Sequence, residues 1–581
     1  MLRCKCFCLH PLLALRAPVI RRQTRLVTQV AIVRTVEPIP AHLIRNVPDG
    51  LLQANVHTGL FAAVNSILEP PLKGGGFRKL FPALLCKKIM KRLINWVKNP
   101  LSLLFSIVFS VLVWLVFYPA ILSLDSVYMY LEAASKFGFT DEKALLLPFA
   151  LSLILKVGGN LSILILFQCL AGFLAIRYLA LSLAACFKFG EKTGDLIVFL
   201  VLFVLSSPLF LTSIYLVTFW MDTWLAIILL LASALLIELY FSTDINTTSY
   251  IFRIIVLCVV VSMALLVRLN SFVLYPVMAL ALERVLHQGI IKVRYKVVII
   301  LCPIFIFGLF MFLQYDILKV TRSHQDHTVF AVDVASVLEY DPSICEKALL
   351  SACDVLTDYY PCNFQVGMGA LDCTYDQSKG MVYRPFYFLR NNSAMESDYR
   401  YIIQEHTLTW LAVKLLNFSD YLRPVTNRYF FQVQDPVLLK EANLVTSPRF
   451  SFLRERIFSE LIWVSQEPIL RWFSFVHLPW LVIDVCGIVA CILIALRSRQ
   501  RDKYLFFAII LTIPASYYIS YLIAITASDF RFMYPSTLVM QVITLTCMFS
   551  VAAEKIRLRK QGLIGKRRSE APGHSYESVS E

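Results

Sequence analysis

Long apolar segments without charged side chains constrain this chain more than any other feature. A helix needs about 20 apolar residues to cross the hydrocarbon core of a bilayer, which is about 30 Å thick. Segments of this kind recur from one end of the chain to the other, so we predict an all-α polytopic membrane protein with about ten transmembrane helices. The predicted spans are residues 101–122, 161–187, 197–217, 225–241, 251–267, 272–282, 297–314, 475–496, 504–526 and 533–553.

Composition supports this class of protein. The chain of 581 residues is 58% apolar and 16% charged, which leaves too little polar surface for a soluble globular protein. Its formal net charge of +16 would suggest nucleic acid as a partner of a soluble chain. Here the Lys and Arg residues cluster in short segments between apolar runs, where membrane orientation explains them. We therefore predict contact with membrane lipids and no nucleic-acid function.

The basic segment before the first span indicates how the chain is oriented. Short loops rich in Lys and Arg stay in the cytoplasm, so residues 87–98 are placed there and Asp125, just after the first span, on the outer face. Residues 144–156 are too short to span and are predicted to be an interfacial helix in the first outer loop. Both termini then lie in the cytoplasm. We expect an ER or Golgi membrane in a eukaryotic host and the plasma membrane in a bacterium.

The apolar spans divide the chain into modules. Residues 1–85 precede them; their start is rich in Arg and free of acidic residues, so they are either a targeting segment or a disordered extension. Both readings stay open. The further divisions that we predict are a transmembrane module at residues 86–314, an outer domain at 315–472, a second transmembrane module at 473–553 and a basic cytoplasmic tail at 554–581.

Four cysteines lie close together in the predicted outer domain. An even number of cysteines outside the membrane predicts two disulfides in an oxidising compartment, with three possible connectivities. A zinc site is the competing interpretation, although no Cys-x-x-Cys pair occurs among them. The disulfide candidates are Cys345, Cys353, Cys362 and Cys373.

Ionisable residues gather at the outer ends of the predicted spans. A charged group at membrane depth costs several kcal/mol and normally faces a partner or a water-filled path. We therefore predict that these residues meet in one cavity; the alternative is that each simply ends its helix at the water boundary. The residues are Asp125, Asp222, Arg268 with Asn270, and Asp529 with Arg531.

Short motifs around these residues occur in the order that is typical of GT-C type membrane glycosyltransferases. The chain resembles this family over residues 101–553, and most of all a poorly characterised branch of it. Two positions differ from the common pattern. Leu147 precedes Pro148 at a place where the family often has His-Pro. Met221 occupies the middle position of a motif that is commonly Trp-Lys-Asp in the family. The motifs are Tyr118-Pro119 with Asp125, Pro208 followed by Trp220-Met221-Asp222, Arg268-Leu269-Asn270, and Asp529-Phe530-Arg531 with Tyr534-Pro535.

The resemblance implies transfer of a sugar from a polyprenyl-phosphate carrier to an acceptor at the outer face. It implies Asp125 as the catalytic base and Arg268 and Arg531 as contacts to the donor phosphate. It also implies substrate contacts for Asp222, Asn270 and Asp529. No cofactor is expected: a divalent metal is conceivable because carboxylates converge, but it is not favoured, since no Asp-x-Asp or Glu-x-Asp pair occurs in the first outer loop. Protein partners are left open. A transporter or flippase of lipids or solutes is one alternative, and an inactive scaffold that keeps the fold is another.

Overall fold

A computed structural model gives the structure of the chain, and all structural statements below concern the residues that it describes. The predicted extension at residues 1–85 lies outside them. The described residues are 100–135, 138–140, 144–241, 247–288, 293–321, 325–347, 350, 353, 375–376, 381–382, 395–422, 436–523 and 530–569.

Helices make up nearly all of the described part of the chain. A two-stranded antiparallel hairpin, β1 (Tyr375–Asp376) with β2 (Met381–Val382), is the one sheet there. Short 3₁₀ or π turns cover Leu269–Val273, Leu313–Ile317, Pro448–Phe450 and Phe530–Met533. The α-helices are α1 (Pro100–Val116), α2 (Leu124–Ala133), α3 (Leu146–Lys156), α4 (Leu161–Cys186), α5 (Glu191–Ser206), α6 (Thr212–Val217), α7 (Met221–Phe241), α8 (Thr247–Val267), α9 (Leu274–Gln288), α10 (Val293–Phe312), α11 (Gln325–Tyr340), α12 (Ser343–Lys347), α13 (Met395–Glu405), α14 (Thr407–Tyr421), α15 (Pro436–Glu441), α16 (Ser451–Gln466), α17 (Pro468–Ser474), α18 (Leu478–Arg497), α19 (Arg501–Ile523) and α20 (Tyr534–Ser569).

The helices confirm the prediction of an all-α polytopic membrane protein. Within the described residues, 7 helices are long and apolar enough to cross a membrane. The other three predicted spans also contain helices, but these are shorter: α1 has 17 residues, α5 has 16 and α9 has 15. The last span differs at its end, because α20 continues past residue 553 into the predicted tail. Lys, Arg and Leu are good helix formers and sustain it there.

Prolines shorten two of the predicted spans. Helix α1 ends at Val116, before Pro119, and the predicted span 197–217 breaks at Ser207, which is extended before Pro208. Proline disfavours helical geometry in the residue before it and cannot donate a backbone hydrogen bond. The freed segment after α1 pairs instead with the chain after α6. Ile121 N donates to Val217 O at 3.0 Å, and Phe219 N donates to Ile121 O at 3.3 Å. The ends of two separate segments are thus joined.

Helix α7 lies at the centre of the bundle. It packs against α4, α8 and α20, and 72% of its apolar segment is buried within the protein. The corresponding value is 11% for the span at Tyr295–Ile317, which therefore lies at the periphery. A helix that is apolar on all sides, as α7 is, suits a position surrounded by other helices. Asp222 begins this central helix.

The predicted interfacial helix at residues 144–156 is present as α3. It has 11 residues, which is too short to span, and it packs against α2 and α4. Just before it, Ala144 N donates to Met221 Sδ at 3.1 Å. Helix α3 is therefore held beside the first residue of the central helix.

The chain between α10 and α18 contributes to two apolar clusters. Helices α11 to α14 form a cluster of their own around buried residues such as Val334 and Ile402. Residues of α15 and α16, such as Leu439 and Leu461, belong instead to the core of the main bundle. The boundaries 315–472 of the outer domain stay a prediction.

One predicted disulfide lies in the separate cluster of α11 to α14. Cys345 and Cys353 are joined, with Cα atoms 5.7 Å apart and a sequence separation of 8. This is one of the three connectivities left open by the sequence. Cys362 and Cys373 lie outside the described residues, and their bond stays a prediction.

We expect a peptide map of the unreduced protein to contain Cys345 linked to Cys353. Alkylation of freshly prepared membranes, followed by digestion and mass spectrometry without reductant, would measure the link. A disulfide persists in an oxidising compartment, so the same map tests the orientation. If all four cysteines alkylate without reduction, this region faces a reducing compartment and the predicted orientation is wrong. The buried Cys169 in α4 is the internal control for a thiol that stays unpaired.

Candidate active site

Helix α2 starts at a serine cap that also fixes the neighbouring segment. Ser123 caps α2, with its side chain accepting from Ser126 N, and Ser126 in turn accepts from Ser123 N. Ser126 Oγ donates to Phe219 O at 2.8 Å, and Trp220 Nε1 donates to Ser123 Oγ at 2.7 Å. Such a reciprocal cap favours one entry geometry for the chain. It places Asp125 in the first turn of α2, close to Trp220 and the start of α7.

Asp125 forms an ion pair with Arg531. Asp125 Oδ2 lies 2.7 Å from Arg531 Nη2, and the two side chains are 32% and 15% exposed, respectively. Arg531 comes from the 3₁₀ turn Phe530–Met533, directly before α20. The pair joins the start of the predicted first outer loop to the last span. Its carboxylate is the more accessible partner.

Asp222 and Arg268 form a second ion pair with a different geometry. Arg268 Nε donates to Asp222 Oδ1 at 2.9 Å and Nη2 donates to Oδ2 at 2.6 Å. The Asp222 side chain is only 3% exposed. A bidentate guanidinium–carboxylate contact is strong and directional. The Asp222 carboxylate is therefore held by two hydrogen bonds and is more deeply buried than the Asp125 carboxylate.

An aromatic ring connects the two ion pairs. The Phe532 ring centroid lies 4.8 Å from Arg268 Cζ and 4.9 Å from Arg531 Cζ. Arg531 Cζ also lies 5.2 Å from the Trp220 ring. Cations are attracted to aromatic faces at these distances. The two guanidinium groups are thus neighbours, held in place by rings and not by acids alone.

Tyrosines pack around the Phe532 ring and beside it. Tyr521 in α19 stacks on Phe532 with ring centroids 6.0 Å apart, and its hydroxyl lies 3.0 Å from that of Tyr517. The Asn270 side chain also hydrogen-bonds to Tyr521. Tyr534 stacks on Tyr215 at 4.0 Å. These contacts pack α19 and α20 against the charged residues.

The structure brings together most of the residues that the sequence singled out. Asp125, Asp222, Arg268 and Arg531 form the two neighbouring pairs, and Asn270 lies beside them through Tyr521. Asp529 lies outside the described residues. The functional roles assigned to all of these residues stay predictions.

A metal site has little support among the described residues. No group of three His, Cys, Asp or Glu side chains is close enough there to hold a metal ion. Asp125 and Asp222, the two carboxylates of the candidate site, each contact an arginine instead. A carboxylate paired in this way offers fewer lone pairs to a hard cation such as Mg²⁺. The absence of a metal stays a prediction.

Several residues at or near the site were missed in the sequence. Tyr521 resembles an ordinary residue of its predicted span, and Phe532 an apolar residue just before the last one, and no local pattern distinguishes them. Asp484 could have been noticed, because it interrupts the apolar run of α18. It is fully buried, and neither carboxylate oxygen has a hydrogen-bond partner in the described part of the chain. A lone acid in a transmembrane segment is a recognised signal of function.

No protein-family model matches the sequence, and a comparison with curated proteins finds no match. Among solved structures, the fold is similar to the archaeal oligosaccharyltransferase AglB from Archaeoglobus fulgidus, in complex with an inhibitory peptide and a dolichol-phosphate. The identity is 14% and the TM-score 0.37, over 80% of this chain and 52% of that chain. The fold is also similar to ArnT from Cupriavidus metallidurans in the apo state, with 12% identity and a TM-score of 0.28 over 78% of each chain.

This chain spans about half the length of that oligosaccharyltransferase. With identities under 25% and TM-scores under 0.5, the likeness concerns the fold and lends no residue role to this chain.

Proposed function

We propose that this chain is a membrane glycosyltransferase that moves a sugar from a polyprenyl-phosphate donor to an acceptor hydroxyl. Transfer takes place at the face of the membrane on which Asp125 lies, which the basic loops indicate is the outer face. The observation that carries the proposal is the partly exposed Asp125–Arg531 pair, whose arginine contacts the same ring as the arginine of the more buried Asp222–Arg268 pair.

The two arginines suit a phosphate group. A guanidinium presents parallel N–H donors that match phosphate oxygens, and it stays charged in any environment. Arg268 and Arg531 contact the same ring, and the proposal has one donor phosphate interact with both cations. Asp222 already neutralises Arg268 through both carboxylate oxygens. In this proposal the donor phosphate takes over the Arg531 contact from Asp125, and Arg268 adds its charge without leaving Asp222.

Donor binding then prepares the base. The donor phosphate takes the place of Asp125 on Arg531, and Asp125 is released beside the sugar. The acceptor hydroxyl gives its proton to the Asp125 carboxylate as its oxygen forms the new bond to the anomeric carbon. The bond from that carbon to the phosphate oxygen breaks, and the electron pair leaves with polyprenyl phosphate. Arg531 and Arg268 stabilise the charge on this leaving group.

Binding and turnover of lipid-linked sugars test the proposal. The purified protein, reconstituted in nanodiscs, is incubated with radiolabelled polyprenyl-phosphate hexoses and pentoses and a panel of glycosyl acceptors. Equilibrium binding of citronellyl phosphate, with citronellol as the matched ligand without phosphate, measures the leaving-group site separately. We expect turnover of at least one donor and binding of the phosphate only. Failure of both would contradict the proposal and favour an inactive scaffold.

A transporter or flippase is the second candidate function. Transporters often contain broken helices and polar residues within the membrane. The break between α5 and α6 and the buried Asp484 in α18 are features of this kind. Phosphate binding without turnover would favour this function. It is then measured as movement of a fluorescent polyprenyl phosphate between the leaflets of proteoliposomes, with Asp484→Asn as the diagnostic variant.

A further inference from the structure

A buried ion pair lies outside the candidate active site. Asp333 in α11 and Lys414 in α14 approach to 2.6 Å, and each side chain is 2% exposed. Trp410 Nε1 donates to Asp333 Oδ2 at 3.1 Å, and Tyr399 also hydrogen-bonds to this carboxylate. Burial raises the pKa of Asp333 and lowers the pKa of Lys414, against their mutual attraction. A buried ion pair is often no more stabilising than well-packed apolar residues of similar volume. The stability of the protein therefore gives little reason for this pair.

Lys414 also contacts a second element. Its Nζ donates to Ile523 O at 2.7 Å, and Ile523 is the last residue of α19. The last carbonyls of a helix have no partner within the helix, and a cation there also interacts favourably with the helix dipole. The ammonium group therefore bonds Asp333 and the end of a membrane span at the same time.

The end of α19 leads directly to the two arginines. Tyr521, two residues before Ile523, stacks on Phe532. Phe532 in turn contacts the guanidinium groups of Arg268 and Arg531. A displacement of the end of α19 would thus move the ring that both cations share. Each step of this path is a packed contact.

We propose that Asp333 and Lys414 are positioning residues for the donor-phosphate site. Lys414 holds the end of α19, and Asp333 holds Lys414. Tyr521 and Phe532 then fix the guanidinium groups of the two arginines by packing contacts. Neither residue touches the substrate. This proposal rests on the proposed function only for the identity of the ligand, a donor phosphate. The mechanical part, that the pair fixes the end of α19, holds for any ligand of the two arginines.

Three variants separate positioning from a purely structural role. Asp333→Asn keeps the Lys414 side chain but removes the carboxylate that holds it. The double variant Asp333→Asn with Lys414→Met removes the buried charges together and leaves no unpaired one, so it is designed to fold, but it loses the bond to Ile523. Arg400→Ala removes an exposed ion pair with Glu396 in the same helical region and is the matched control.

Two measurements are made on the full-length protein in nanodiscs. Binding of citronellyl phosphate should weaken about tenfold in the double variant. In Asp333→Asn, which leaves Lys414 without the carboxylate that holds it, binding should weaken to a value between those of wild type and the double variant. In Arg400→Ala it should stay within about twofold of wild type. Hydrogen exchange followed by mass spectrometry should be faster in the double variant for the last turn of α19 and for residues 530–534. It should be unchanged in α18.

Specific results of these measurements would contradict the proposed positioning role. If the double variant binds citronellyl phosphate as wild type does and its exchange at the end of α19 is unchanged, the pair has no positioning role. A lowered melting temperature with unchanged affinity would assign it a structural role and also overturn the proposal. If wild type neither binds citronellyl phosphate nor transfers a sugar, the proposed function has failed, and hydrogen exchange alone decides the positioning.

Discussion

Asp125→Asn is expected to slow sugar transfer by about 10² to 10⁴, the usual loss when a general base is removed. The same change should tighten the binding of polyprenyl phosphate by about tenfold, which corresponds to about 1.4 kcal/mol. The reason is that Asp125 and the donor phosphate compete for Arg531, at 2.7 Å in the free protein. A neutral amide competes less. Slower turnover with tighter binding is an unusual combination for a variant of a substrate-site residue.

The measurement combines single-turnover transfer with equilibrium binding of citronellyl phosphate in nanodiscs. Asp502→Asn is the matched control, because Asp502 also lies in the first turn of a helix but at the other end of α19 from Tyr521. It should leave both values unchanged. Turnover like that of wild type in Asp125→Asn would remove the base from the mechanism. Weaker phosphate binding in the same variant would instead contradict the exchange of Asp125 for the donor.

Arg268→Ala should destabilise the protein as well as weaken phosphate binding. Asp222 is 3% exposed and would be left as a buried carboxylate without its cation. Breaking a buried ion pair on one side typically costs about 3–5 kcal/mol. We expect a lower melting temperature in detergent and a loss of citronellyl phosphate binding. A loss of binding by this variant alone would thus not identify a phosphate contact.

The double variant Asp222→Asn with Arg268→Gln separates the two effects. Its neutral side chains can hydrogen-bond to each other, so much of the lost stability should return, whereas phosphate binding should not. Arg253→Gln is the control for a half-buried arginine elsewhere in α8, where Arg253 Nη1 lies 2.7 Å from Glu238 Oε1. It should lower stability but keep binding. Recovery of phosphate binding in the double variant would show that Arg268 acts only as the partner of Asp222.

The candidate site was only partly visible in the sequence. The sequence predicted that Asp125, Asp222, Arg268 and Arg531 would meet, because each follows or precedes an apolar run on the same predicted side. It did not predict which acid pairs with which arginine. Asp125 was assigned as a base and Arg531 as a phosphate contact, and the structure places them in contact with each other. That contact is the basis of the proposed exchange of Asp125 for the donor phosphate on Arg531.

The sequence by itself determined that this is a polytopic helical membrane protein, and it located the spans and the short helix α3. Hydrocarbon excludes unpaired backbone groups and charges, so apolar length alone reveals a span without knowledge of its neighbours. Only the tertiary structure decided the ion pairs, the ring of Phe532 between the arginines, and the reach of Lys414 to Ile523. These contacts join residues far apart in the chain, and their partners depend on how the helices pack, which no local pattern of residues records.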